Sequence, residues 1–246
     1  MATEVKSSRF LDQLRKQSDE VRKHKRDEER PVEDAMRDMD RQLWSAFRWL
    51  DEAMRHLDVI RPRVQHSFQL MGVLSIDAPR YERGFISFRR RQLAGMDLIE
   101  RIEVFYRLSK DTPVLVKVQP GLVAQTENRL LGAQLSFQYD QELDEHRAVR
   151  AGVFTITPEI TSSIQIEPDY RRQRVEVALH NIDRFESVSL DFAALGLTEA
   201  ALEDLVHLIL GEGNRFLRRA PLAGINGRRQ DAALAAAAAR VHVRRR

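Results

Sequence analysis

The feature that most constrains the fold is a long segment, residues 67–192, in which apolar and polar side chains alternate with a period of two. The clearest run is LGAQLSFQY, residues 131–139, which predicts a strand. Turn residues such as Asp77-Ala78-Pro79 separate the runs. Strands this close, with no helical pattern between them, predict an antiparallel meander of about seven to nine strands. The other side of each run is polar, so we expect a sheet covered on one face only.

Helical periodicity flanks the predicted sheet on both sides. Pro31 suits the first turn of a new helix, and apolar residues then recur at steps of three and four over residues 32–60. The apolar side is broader than a coiled-coil seam, which favours packing on the sheet but leaves self-association open. Residues 198–218 predict a C-terminal helix, with Thr198 as its N-cap, packed on one face of the sheet. The predicted fold class is α+β.

The two ends of the chain differ in composition from its centre. Residues 1–30 carry the mixed-charge run KHKRDEER and predict a charged helical or flexible arm. Residues 220–246 are rich in alanine and arginine and predict a flexible tail, which leaves a single α+β domain at 31–219. The formal net charge is +3, but residues 215–246 hold nine arginines and one aspartate, so the remainder sums to −5. A body of that sign is a poor general phosphate-backbone binder, although a local patch could bind.

Several classes of chemistry are excluded by what the sequence lacks. It has no cysteine, which excludes thiol catalysis, disulfides and cysteine-ligated metal, and which is typical of a reducing compartment. No nucleophile elbow, phosphate loop, zinc-protease motif or dinucleotide motif occurs. We therefore predict no catalytic residue, no metal and no cofactor. With no signal-peptide core and no apolar run long enough to span a bilayer, a soluble cytoplasmic protein without membrane contact is expected.

Two polar clusters remain to be explained. The acidic run YDQELDEHR, residues 139–147, lacks the spacing of a calcium loop and lies where a hairpin would turn, so a charged tip is the preferred interpretation. His180 and Asp183 could form an acid–base pair, but they join two predicted strands and no nucleophile accompanies them.

Arginine is concentrated in two further places. The run RYERGFISFRRRQ, residues 80–92, and a second group at 170–174 supply candidates for binding an anion or nucleic acid: Arg89, Arg90, Arg91, Arg171 and Arg172. If Ala94-Gly95 is a turn, Arg89 lies opposite Glu100, and cross-strand charge pairs account for much of the arginine excess. Phe85 and Phe88 point to opposite faces, so together they do not form a stacking platform.

The order of helix, long antiparallel meander and C-terminal helix resembles that of helix-grip ligand carriers. The chain departs from that pattern because no strand precedes its first helices. The resemblance implies a carrier or an enzyme with an apolar pocket between the sheet and the helix at 198–218. The residues expected to line such a pocket for a small apolar ligand are Tyr106, Phe137, Tyr139 and Leu179.

The leading functional hypothesis is a non-enzymatic binding or scaffold protein that associates with a protein partner or with itself. Its interface candidates are Met36, Leu43, Trp44, Phe47 and Leu50. The alternatives are the helix-grip-like carrier or enzyme, and a nucleic-acid or anion binder that uses the arginine groups.

Overall fold

One long helix lies against a six-stranded antiparallel sheet. The structure is a computed structural model that describes residues 9–224. The helices are α1 (Arg9–Ile60), α2 (Val123–Gly132) and α3 (Glu199–Leu210), with short 3-10 turns at Pro120–Leu122 and Phe216–Arg218. The strands are β1 (Ser67–Leu70), β2 (Leu74–Asp77), β3 (Arg80–Leu93), β4 (Met96–Ser109), β5 (Val114–Val118), β6 (Ser136–Leu143), β7 (Val149–Thr157), β8 (Glu159–Asp169), β9 (Arg174–His180), β10 (Ser187–Ala193) and β11 (Leu222–Gly224).

The strands form three antiparallel sheets. The large sheet has the order β11-β10-β9-β8-β4-β3, a second sheet has the order β5-β7-β6, and β1 pairs with β2 as a hairpin. The predicted α+β class with a large antiparallel sheet is confirmed. Residues 67–192 hold ten strands rather than the seven to nine expected, and β11 follows outside that segment.

The large sheet buries one face and leaves the other open, as the alternation predicts. One cross-strand row consists of Ile86, Val104, Ile164, Leu179 and Val188, and it lies on the buried face. The buried side chains of α1 and α3 join those of the sheet in one core. The neighbouring row consists of Phe85, Phe105, Ser163, His180 and Ser187, and it belongs to the open face.

The helix α1 is continuous, so the prediction that a new helix begins at Pro31 is wrong. Pro31 lies inside the 52-residue helix. A proline in a helix interior removes one backbone hydrogen bond and crowds the preceding turn. Charged residues with high helix propensity flank it on both sides, and together they favour continuation.

The strand predicted over residues 131–139 begins later than expected. The segment 131–139 begins in α2, and the strand β6 starts only at Ser136, because Gln134 has a φ of 57° and turns the chain. The alternating burial of Ala133, Leu135 and Phe137 nevertheless survives the turn.

The C-terminal helix has the expected N-cap but is shorter than expected. The backbone N–H of Ala201 donates to Thr198 Oγ1 at 3.3 Å. The helix ends at Leu210 because Gly211 adopts a left-handed φ of 76°. Of the predicted tail, residues 222–224 form β11 on the edge of the sheet, and the rest lies outside the described residues.

Two aspartates dock α1 on the sheet by the same arrangement. Asp58 Oδ1 accepts hydrogen bonds from the backbone N–H of Gly84 at 2.7 Å and from the Tyr81 hydroxyl at 3.0 Å. A Cβ at Gly84 would collide with Tyr81 and Met54, so the helix approaches this closely only over glycine.

The second docking point repeats the first at the other end of the contact. Asp40 Oδ1 accepts hydrogen bonds from the backbone N–H of Ile99 at 2.7 Å and from the Tyr170 hydroxyl at 3.0 Å. Asp40 and Asp58 are 18 residues apart, which is about five helical turns, so they project from one side of α1 about 27 Å apart. Two anchors at that separation fix the direction of the helix on the sheet.

We expect Asp58→Ala and Asp40→Ala each to lower the free energy of unfolding by about 1–3 kcal/mol, because the first removes the acceptor of the Gly84 N–H and the Tyr81 hydroxyl, and the second removes that of the Ile99 N–H. Asp38→Ala is the control and should cost no more than about 0.5 kcal/mol, since among the described residues Asp38 pairs only with exposed Arg41. Urea denaturation of the three variants measures the difference. Equal losses in all three would contradict the docking role.

Candidate functional site

The two arginine groups lie at the same end of the large sheet. Leu93 pairs with Met96, and Ala94 and Gly95 both have positive φ, so the predicted two-residue turn between β3 and β4 is confirmed. Tyr170, in the turn between β8 and β9, donates its hydroxyl to the carbonyl of Ile99 on β4 at 2.9 Å. The hairpin tip that carries one group therefore lies beside the turn that carries the other.

Acidic neighbours neutralise much of this arginine cluster. Arg90 lies 3.1 Å from Asp97 and 3.8 Å from Asp40, and Arg91 lies 3.9 Å from Glu100. These pairs confirm that cross-strand charges account for much of the arginine excess. Arg172 is 3.7 Å from Asp169. We conclude that this end of the sheet is close to charge balance.

The expected position of Arg89 is wrong by one residue. A bulge between Arg89 and Arg90 displaces Glu100, so Arg89 lies opposite Arg101. Arg101 is itself held by Glu103 at 3.3 Å and by Glu167 at 2.8 Å. Within residues 9–224, Arg89 forms no ion pair of its own.

The predicted pocket residues are core side chains in two different sheets. Tyr106 and Leu179 lie on the buried face of the large sheet, and Tyr106 stacks on Tyr81 with ring centroids 5.9 Å apart. Phe137 and Tyr139 lie on β6 of the smaller sheet, and both rings contact Phe154. The aromatic rings predicted to line a pocket are therefore packed against other rings of the chain.

The predicted interface residues on α1 are used within the chain. Met36, Leu43 and Leu50 are buried in the core. Trp44 and Phe47 stack on each other, and both meet Phe88 in an edge-to-face arrangement with ring centroids 4.9 and 4.8 Å apart. The sheet therefore occupies this side of the helix, which is the intramolecular alternative that its breadth favours.

The exposed part of α1 lies further toward its N-terminus. We call residues 9–35 the α1 arm. From Leu11 to Val32 every described side chain is exposed, and Met36 is the first buried residue of the helix. At 1.5 Å per residue the arm extends about 40 Å.

The open face carries an aromatic pair that the sequence analysis missed. Phe85 on β3 lies directly opposite Phe105 on β4, so the two rings share the open face. Phe85 is 63% exposed, and Phe105 is partly exposed. The signal lies in the alternation of residues 98–108, where Phe105 falls among the polar positions.

The polar clusters show ordinary structural roles. Asp183 pairs with Arg184 at 2.7 Å, whereas His180 Nδ1 contacts Ser187 Oγ at 2.7 Å, so His180 and Asp183 do not form a pair. Burial lowers the pKa of His180 and favours its neutral form. At the tip between β6 and β7, Asp144 accepts two backbone N–H groups at 2.8 Å. In the described part of the chain, no three His, Asp or Glu side chains are grouped as metal ligands.

No protein-family model matches this sequence, and no similar protein was found among curated proteins or solved structures. Among the helices of residues 9–224, none combines the length and apolar character needed to span a membrane. Function must therefore be argued from the α1 arm and the open face themselves.

Three buried tyrosines make stability sensitive to alkali. Burial raises the pKa of Tyr81, Tyr106 and Tyr170, and for Tyr81 and Tyr170 the neighbouring aspartate raises it further. A group whose pKa is raised by folding stabilises the protein fully below its unfolded pKa, about 10, and loses that effect as pH rises.

We expect tyrosinate absorbance from these residues to appear together with unfolding above about pH 10, since the unfolded chain releases the phenolic protons at a lower pH than the folded chain. Parallel pH titrations followed by ultraviolet absorbance and circular dichroism test this. Full ionisation near pH 10 with unchanged circular dichroism would contradict it.

Proposed function

We propose that the protein is a non-enzymatic interaction protein that self-associates through the α1 arm. The observation that carries this proposal is the exposure of every described side chain from Leu11 to Val32, in a helix that is otherwise packed on the sheet. Tertiary packing supplies most of the stability of helices in proteins, and the described side chains of the α1 arm from Leu11 to Val32 are exposed in the single chain. Exposed Leu11, Leu14 and Val21 add apolar surface that a partner helix could cover.

The charge sequence of the α1 arm favours a second copy as the partner. Residues 22–26 carry four Lys or Arg side chains, and residues 27–31 carry three acidic side chains and one arginine. The two blocks therefore have formal charges of +4 and −2. Two copies in an antiparallel pair, related by a two-fold axis at the boundary between the blocks, oppose each basic block to an acidic one.

The same axis also aligns apolar residues. Val21 and Val32 lie at equal distances from the boundary between residues 26 and 27, so Val21 of each copy lies opposite Val32 of the other. Both side chains are exposed in the single chain, at 67% and 55%. A parallel pair would instead oppose like charges, which is destabilising.

Charge reversal of either block tests the antiparallel pair. Lys25→Glu/Arg26→Glu makes residues 25–28 wholly acidic, and Asp27→Lys/Glu28→Lys makes them wholly basic. Each variant alone should associate at least about 10-fold more weakly than the parent, because opposed like charges repel. Native mass spectrometry and sedimentation equilibrium at low salt measure the association.

An equimolar mixture of the two variants provides the rescue. The mixture should form a heterodimer, since the reversed blocks are again complementary in that pair. Arg171→Glu/Arg172→Glu changes the same number of charges at an exposed place outside the α1 arm and should leave association unchanged. A monomeric parent protein, or variants that associate as well as the parent, would refute the proposal.

A further inference from the structure

The open face of β3 and β4 carries an ordered grid of rings and cations. The cross-strand partners, in sequence along β3, are Arg83 with Arg107, Phe85 with Phe105, Ser87 with Glu103, and Arg89 with Arg101. The register is continuous over these residues, so all eight side chains belong to one face. The aromatic pair is thus bracketed along the strands by two pairs of arginines.

The arginine pairs are unfavourable for the sheet alone. Like charges directly opposite each other on neighbouring strands destabilise the pairing. Glu103 and Glu167 neutralise Arg101. Within residues 9–224, Arg107 has only Glu159 at 3.8 Å, and its Nε is buried without a hydrogen-bond partner. Arg83 and Arg89 are exposed, and in the described chain neither has an ion-pair partner. This leaves two unneutralised cations on β3, one on each side of Phe85.

We propose that this face binds single-stranded nucleic acid, with bases stacked on Phe85 and Phe105 and phosphates bound by Arg83 and Arg89. Exposed aromatic rings on a sheet stack unpaired bases of any sequence, and flanking cations follow the backbone. Arg83 and Arg89 are six residues apart, about 20 Å along β3, so a short strand of nucleic acid spans both.

Across β8 and β9 the same face continues with the partly buried Gln165 and Ala178, and the next cross-strand pair along these strands is Glu167 with Glu176. The proposed site is therefore confined to β3 and β4. Glu103 is 8% exposed and lies beside Arg101, so its charge is partly compensated. The net negative charge of the body disfavours general duplex binding, which is consistent with a local site for single strands.

Fluorescence anisotropy with labelled oligothymidylate and oligouridylate tests the site in the full-length protein. We expect saturable binding of one or both, and Phe85→Ala should weaken it by on the order of 10- to 100-fold through lost stacking. Phe85→Trp should retain binding because it keeps a π-face. Preference for one of the two oligomers shows whether RNA or DNA is the occupant, and either preference supports the site.

Salt dependence tests the cations separately. Arg83→Ala and Arg89→Ala should each weaken binding and reduce the slope of log affinity against log salt by about 0.7, the value for one phosphate contact on a single strand. Leu115→Ala is the matched control for Phe85→Ala, because Leu115 is 69% exposed on β5 of the smaller sheet. Circular dichroism checks that all the variants fold.

Three results would overturn the proposal. These are the absence of saturable binding at low salt, binding that Phe85→Ala leaves unchanged, and equal affinity for duplex and single strand. Binding that is steeply salt-dependent but insensitive to Phe85 would instead assign the affinity to the arginines of residues 215–246.

Discussion

The contact on which the rest of the structure depends is the docking of α1 by Asp40 and Asp58. Each carboxylate accepts one backbone N–H of a strand and one tyrosine hydroxyl. Hydrophobic contact alone allows a helix to slide on a sheet, because burial is roughly proportional to area and has no direction. Hydrogen bonds to particular strand positions have defined geometry, so the two aspartates set the register of the helix against β3 and β4.

That register determines which surfaces remain open to partners. With α1 and α3 contributing to one core on the buried face, the opposite face of the large sheet keeps its polar side chains and its Phe85–Phe105 pair. The helix also continues beyond the sheet as the α1 arm. The two proposed binding surfaces are therefore consequences of one packing arrangement, and they occupy different parts of the molecule.

Much of the fold could be predicted because alternation in the sequence reports burial directly. The predicted covered face, the turn at Ala94-Gly95 and the N-cap at Thr198 follow from local chemistry and are confirmed. The helix α2 was missed because Leu131 to Tyr139 alternates like a strand, while the chain turns at Gln134. Pro31 was misread because its local preference for a first turn was outweighed by its helical neighbours.

The candidate sites were harder to predict because they depend on pairing between distant residues. A single bulge at Arg89/Arg90 changed the partner of Arg89 from an acid to an arginine. The sequence does not show that Phe105 lies opposite Phe85, since only the register between β3 and β4 makes them neighbours. Period-two patterns specify the face of each residue within its own strand, but not which residue stands opposite.

The position of Pro31 has a consequence for the way the molecule opens. It lies five residues before Met36, so the interruption in helical hydrogen bonding almost coincides with the limit of tertiary burial. Local unfolding follows such boundaries, because each cooperative unit is limited by its own contacts. We therefore expect the α1 arm and the body to be separate cooperative units: in the single chain, backbone amides of the arm exchange with solvent through fraying, while those of residues 36–60 exchange only when the sheet itself opens.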